Sequence, residues 1–209
     1  IKNELSIPVK FMESVGYERN VVILTRKWRQ HMNQSNINKL VDLAIKLGFN
    51  KAKIIDTFNM NFNPVFREYC KENICGQYNN NHSCPPLCGT YQQMKDKALS
   101  YKNALVLQSK FSIDNLKDDN VIKSAQKWHN TMMFKVIQTS NIQDGLFIGA
   151  SHCMLCDSCN KNQKCKHPEL SYSCLSAYCI DVKKLAELCC MDYDFKDNTL
   201  YLFGLYLFN

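Results

Sequence analysis

Apolar residues first recur at helical spacing at Ile37, Leu40, Val41, Ala44, Ile45 and Leu47, behind a capping Ser35 or Asn36 and ahead of Gly48. This pattern predicts an amphipathic helix. The apolar stretch Ala52–Phe58 reads as a strand, and residues 59–87, rich in Asn, Pro and Cys, as a long loop with one helical turn at Val65–Tyr69. Helical spacing returns over Thr90–Ser100 and Asp118–Thr139, with a strand between them at Ala104–Phe111. Leu146–Ala150 is a short apolar strand that runs directly into a cysteine-rich loop. A helical turn at Ser173–Ala177, a helix at Val182–Cys190 and a strand at Thr199–Phe208 complete the series. Upstream, Asn20–Leu24 reads as a short strand and Trp28–Met32 as a charged turn or helix.

Strands alternating with helices predict an α/β or α+β fold, a mixed sheet flanked by helices and carrying two cysteine-rich metal-binding loops. No internal repeat is visible, so residues 36–209 read as a single metal-binding domain behind an N-terminal segment, 1–35. The 209 residues are 45% hydrophobic and 22% charged, which excludes a disordered or collagen-like chain. A chain of this length buries a real core without cross-links, so its 12 cysteines need another reason.

The net charge of +7 comes without a dense basic run or aromatic-basic alternation. Nucleic acid is therefore not expected as a partner. No stretch approaches the length of a membrane helix and no N-terminal apolar core of a signal peptide is present, so a cytoplasmic protein without membrane association is expected. The first residue is Ile1 rather than Met, which carries the expectation that an upstream segment has been removed.

Eight cysteines fall into two groups. The second group is the more compact: Cys153-x2-Cys156-x2-Cys159, then Cys165 followed by Lys166, His167 and Pro168. Three cysteines at i, i+3 and i+6 do not pair easily with one another, but such a loop wraps around a cubane so that three thiolates face three irons, and a separated cysteine completes the shell. Zinc is the alternative, for which Cys153, Cys156, Cys165 and His167 would be a tetrahedral set. His152 and His167 otherwise read as groups beside the metal or at the surface.

The first group, Cys70-x4-Cys75 and Cys84-Pro85-Pro86-x-Cys88, is looser. The proline pair predicts an extended chain after Cys84, with two backbone donors withheld. Gly76 would allow close backbone approach to a cluster. If Cys88 is a fourth ligand the centre is closed and serves electron transfer; if it is not, one metal position stays open to a substrate. Cys174, Cys179, Cys189 and Cys190 read as core or neighbouring residues, with Cys174 near enough in sequence to the second loop to be its reserve ligand.

Cys70…Cys75-x2-Tyr78…Cys84-Pro85-Pro86, the run Ile148-Gly149-Ala150-Ser151-x-Cys153-x2-Cys156-x2-Cys159…Cys165-x-His167-Pro168, and Ala177-Tyr178-x-Ile180-Asp181-Val182 together resemble the DUF2284 family of predicted metal-binding proteins. The resemblance runs from about Lys51 to the C-terminus. It implies metal on both loops and an anaerobic bacterial or archaeal cytoplasm, and it supplies no reaction. Cys88, Cys174 and Cys179 depart from the family's pattern.

The residues and the resemblance lead to one expectation: two [4Fe-4S] clusters, with Cys70, Cys75, Cys84 and Cys88 at one and Cys153, Cys156, Cys159 and Cys165 at the other. The protein would then act in electron transfer or reductive chemistry, with a redox partner protein or a small-molecule substrate. The alternative is a zinc-stabilised binding module for RNA or an acidic protein. No nucleophile–base pair or phosphate-binding glycine loop is present, so hydrolase readings have no support.

Overall fold

The computed structural model describes residues 34–116, 118–140, 142, 144–194 and 198–209, all within one compact unit, Met32–Asn209. The expected elements at Asn20–Leu24 and Trp28–Met32 lie outside the described residues.

Among the described residues, five α-helices and five strands follow in the order α1 (Gln34–Lys46), β1 (Lys51–Asp56), α2 (Phe66–Lys71), α3 (Tyr91–Leu99), β2 (Asn103–Ser112), α4 (Asp119–Ser140), β3 (Leu146–Gly149), β4 (Ser173–Cys174), α5 (Val182–Cys189) and β5 (Thr199–Phe208). The strands form one mixed sheet in the order β1-β2-β5-β3-β4. All neighbours are antiparallel except β3 and β4, which run parallel. The fold is α+β, with helices on both faces.

The period of two along the strands decides which helices each face receives. Leu105 and Leu107 of β2, Phe147 of β3 and Tyr206 and Phe208 of β5 pack with Leu40 and Ala44 of α1 and Met132, Met133 and Val136 of α4. Ala104 and Val106 of β2, Ile148 of β3 and Phe203, Leu205 and Leu207 of β5 pack on the other side with Met94 and Ala98 of α3 and Leu185, Ala186 and Cys189 of α5. Strand β5 lies between β2 and β3 and is covered on both faces, which is why its sequence is an almost unbroken apolar run. Gly204 in that strand is where α4 crosses closest, since a Cβ there would collide with the Met133 sulfur.

Helix α1 begins at Gln34, so Ser35 and Asn36, the expected caps, lie inside it, and the turn expected at Val65–Tyr69 is the short helix Phe66–Lys71. Two further differences have a visible cause. Strand β1 stops at Asp56 rather than Phe58, because the Asp56 carboxylate accepts the Phe58 N–H and opens a short 3₁₀ turn over Thr57–Asn59. The expected helical turn at 173–177 begins instead as strand, with Ser173 opposite Ile148 and Cys174 opposite Gly149. The turn follows one step later, where Tyr178 N–H donates to Cys174 O and Ile180 N–H to Leu175 O. The side of β3 away from β5 pairs with this segment, and periodicity within one segment carries no information about such pairing.

Candidate metal centre

All twelve cysteines carry free thiols. The first loop leaves β1 through the 3₁₀ turn and enters α2, whose last turn holds Cys70. Asn73, at φ 55°, and Gly76, at φ 72°, reverse the chain around the exposed Cys75. Asn73 Oδ1 accepts the Tyr78 N–H at 2.9 Å and holds that reversal closed. Beyond Cys84 the chain does not run extended as the proline pair predicted. The Pro85–Pro86 bond is cis, Cys88 N–H donates to Cys84 O at 3.0 Å, and Gly89 N–H donates to Pro86 O. The segment is a tight turn that sets Cys84 and Cys88 on its two ends.

Asn130, buried in α4, fixes the second loop. Its Oδ1 accepts the Ala150 N–H at 2.9 Å, and its Nδ2 donates to Ser151 Oγ and Tyr172 Oη. The Tyr172 hydroxyl in turn accepts the Met154 N–H at 3.1 Å. The loop's entry is thus clamped between α4 and the residue just before β4.

The two cysteine loops are stitched to each other. Cys153 N–H donates to Ser83 Oγ at 2.9 Å, and Asn81 Nδ2 donates to Cys153 O at 3.3 Å. His82 N–H points at Cys159 Sγ at 3.4 Å, while His82 Nε2 lies 3.1 Å from Asn160 O and 2.8 Å from Gln163 O. Lys161 Nζ donates to Asn79 O. Asn81 and Ser83 are buried polar residues satisfied by this arrangement. Sequence reasoning missed both, along with Asn130. A buried Asn or Ser in a loop has no periodic signature, and only its partners reveal its role.

The thiols gather in two electrostatic neighbourhoods. In the second, Cys153 is raised by burial first, with the nearby Cys165 and Cys156 thiols adding to the effect. In the first, burial pushes Cys70 up to about 11, and the next causes are the Cys174 thiol, which raises it further, and Arg67, which opposes. Burial likewise pushes Cys84 up to about 12, with Cys174 again the leading charged neighbour and Cys75 and Cys88 contributing. Cys174 is raised by burial and then by Cys75 and Cys88. Cys88 is raised by burial, with Arg67 the chief opposing influence, and Cys179 is also raised by burial against Arg67.

Thiols of the first loop, Cys75 and Cys88, are thus among the groups that raise Cys174. The Arg67 guanidinium donates through Nη1 to Gly89 O at 3.0 Å, while its buried Nε and Nη2 have no hydrogen-bond partner.

Among the described residues, no three His, Cys, Asp or Glu side chains are already drawn to the geometry of a bound metal ion. The chemistry of the donor sets nevertheless fits a thiophilic metal. Burial makes the Cys70, Cys84, Cys88 and Cys153 thiols hold their protons when left to themselves, and a metal cation would supply the charge that lets them ionise. A cleft of about 470 Å³ opens beside the second loop, lined by Asn81, Lys123, Lys127, His152, Cys153 and Cys156 among others. His152 is held below the usual histidine range by burial and then by Lys123. No helix among the described residues is long and apolar enough to cross a membrane.

No curated protein and no solved structure matches this chain. The DUF2284 family, described as predicted metal-binding protein, matches over residues 53–208, which takes in both cysteine loops, Arg67, Cys174 and the whole sheet from within β1 to the end of β5. The chain belongs to this family of predicted metal-binding proteins.

Proposed function

We propose that this protein carries two [4Fe-4S] clusters, one in each cysteine loop, and passes electrons to a redox partner protein or a small-molecule substrate in an anaerobic cytoplasm. The observation that supports the reading is the stitching of the loops through Asn81, His82 and Ser83, which seats one thiol group beside the other. Clusters of this kind supply one-electron oxidation and reduction, with potentials set by nearby charge, hydrogen bonds to sulfur and solvent exposure.

The chain's own residues serve that chemistry in three ways. Cys153, Cys156, Cys159 and Cys165 would hold the cluster of the second loop, with the His82 N–H directed at the Cys159 sulfur. The thiols gathered around Cys70, Cys75 and Cys84 would hold the other, with Arg67 offering positive charge. Lys123 and Lys127, one helical turn apart on α4, line the cleft next to Cys153 and Cys156 and favour a negatively charged small molecule or partner surface there.

Metal analysis of anaerobically purified protein tests the reading. The expected result is about eight irons and eight acid-labile sulfides per chain, with broad visible absorption. A colourless protein loaded with zinc overturns it in favour of a zinc-stabilised binding module.

A further inference from the structure

The cleft of about 470 Å³ opens where three stretches of chain meet: the first cysteine loop, helix α4 and the second cysteine loop. We infer that it is a binding site for a small dianionic oxyanion, held by Lys123 and Lys127 against the second loop. The inference deepens the proposed function by naming the class of small molecule that meets the second centre, and it rests on that reading only for what binding achieves.

The walls are fixed to one another. Asn130 of α4 accepts the Ala150 N–H and donates to Ser151 Oγ, which fastens the start of the second loop to the helix that carries both lysines. The first loop is fastened in turn, because Ser83 Oγ accepts the Cys153 N–H and Asn81 Nδ2 donates to Cys153 O. The cleft is therefore formed before any ligand enters, and its volume falls in the range of small-molecule sites.

Charge selects the ligand. Lys123 and Lys127 stand one helical turn apart on α4, with Cβ atoms about 5–6 Å from each other. Among the described residues neither is in an ion pair, and the one carboxylate on the cleft wall is that of Asp157. Two ammonium groups at this spacing suit two negative charges, either on one tetrahedral anion or at the ends of a short dicarboxylate. Lysine is a point charge with rotatable donors, so it serves both shapes. Gln77 Oε1 faces Asn81 Nδ2 at 3.5 Å, which leaves the Gln77 amide NH₂ as a further donor.

The composition of the walls argues against larger partners. Among the described residues no aromatic ring lines the cleft, so a nucleobase has no face to stack on. None of the exposed large apolar side chains, such as Phe58 and Ile74, is on its wall, so a protein partner finds no apolar anchor there.

Calorimetric titration of the anaerobically purified natural chain with sulfate and with malonate, against chloride at equal ionic strength, tests the inference. At least one of the two dianions is expected to bind at one site per chain, while chloride does not. Sulfate alone marks a compact oxyanion as the ligand and malonate alone a dicarboxylate. Lys123→Gln and Lys127→Gln should each weaken binding about tenfold. The exposed Lys97 of α3 lies on the other face of the sheet, and Lys97→Gln should leave the affinity unchanged. Asp157→Asn removes the opposing charge and should tighten binding about two- to fivefold.

Absence of dianion binding by the iron-loaded natural chain, or equal weakening by Lys97→Gln, overturns the inference and leaves the proposed function standing; the lysines then only balance the thiolate charge of the second loop. Where a lysine variant fails to fold, Asp157→Asn decides, since a damaged fold does not gain affinity, and unchanged or weaker binding by that variant overturns the inference. A natural chain that carries zinc, or no metal, overturns the proposed function, and lysine-dependent dianion binding by that chain leaves the cleft assignment standing.

Discussion

Ser83 Oγ accepts the backbone N–H of Cys153 at 2.9 Å, across seventy residues of chain. The same hydroxyl donates to Asn81 Oδ1, also at 2.9 Å, and Asn81 returns through Nδ2 to Cys153 O. One buried serine thus joins the two cysteine loops at the first thiol of the second group. Ser83→Ala leaves the Cys153 N–H and the Asn81 carboxamide short of a partner. The expected cost is about 1–2 kcal/mol in anaerobic denaturant unfolding. An unchanged midpoint would mean that the loops are held together by other contacts.

Cys156 is an exposed member of the second group and adds little to packing. Cys156→Ser should therefore act through metal binding. Bound iron is expected to fall by about half, and thermal stability to fall with it, because binding and folding are linked. Full iron in this variant would remove Cys156 from the ligand set.

Arg67→Met keeps an unbranched apolar stem and removes the charge from beside Cys70, Cys88 and Cys179. Loss of a nearby cation favours the oxidised, less negative form of a cluster. The midpoint potential of one cluster should drop while that of the other stays in place. Redox titration followed by EPR reads both, and equal shifts at the two clusters would contradict the placement of Arg67 at the first centre.

His129 is fully buried in α4, with Nδ1 2.8 Å from Ser109 Oγ and Nε2 without a partner. Burial pushes its pKa down to about 3 from 6.5. The unfolded chain therefore takes up a proton at this residue below pH 6.5 that the folded chain refuses until about pH 3. Stability from this group is unaffected above pH 6.5 and is lost progressively as pH falls through that window. His129→Gln removes the slope. Between pH 7 and pH 5 the natural chain should lose about 2 kcal/mol more than the variant in urea unfolding. Parallel losses would show that His129 does not set the acid sensitivity.

Much of the architecture was legible in local pattern. The helical spacing from Ile37 to Leu47, the Thr90 cap with its Gln93 partner, and the unbroken apolar run from Leu200 to Phe208 each have a local cause, so α1, α3 and β5 appear where the pattern predicts them. The cysteine spacings likewise marked both loops before any contact was known. The turn after Cys84 was not legible, because two prolines predict an extended chain unless their bond is cis.

The sequence by itself determined the order of helices and strands, their apolar faces and the family of predicted metal-binding proteins to which the chain belongs. Only the tertiary structure decided how the two cysteine loops meet. Ser83 follows β1 and Cys153 follows β3, yet the Ser83 hydroxyl accepts the Cys153 N–H and ties the first cysteine loop to the second. Asn81, Ser83 and Arg67 gain their roles in the same way, from partners 22 to 72 residues distant. Periodicity records how one segment meets water and core, whereas the meeting of two loops depends on packing between elements whose register no single segment encodes.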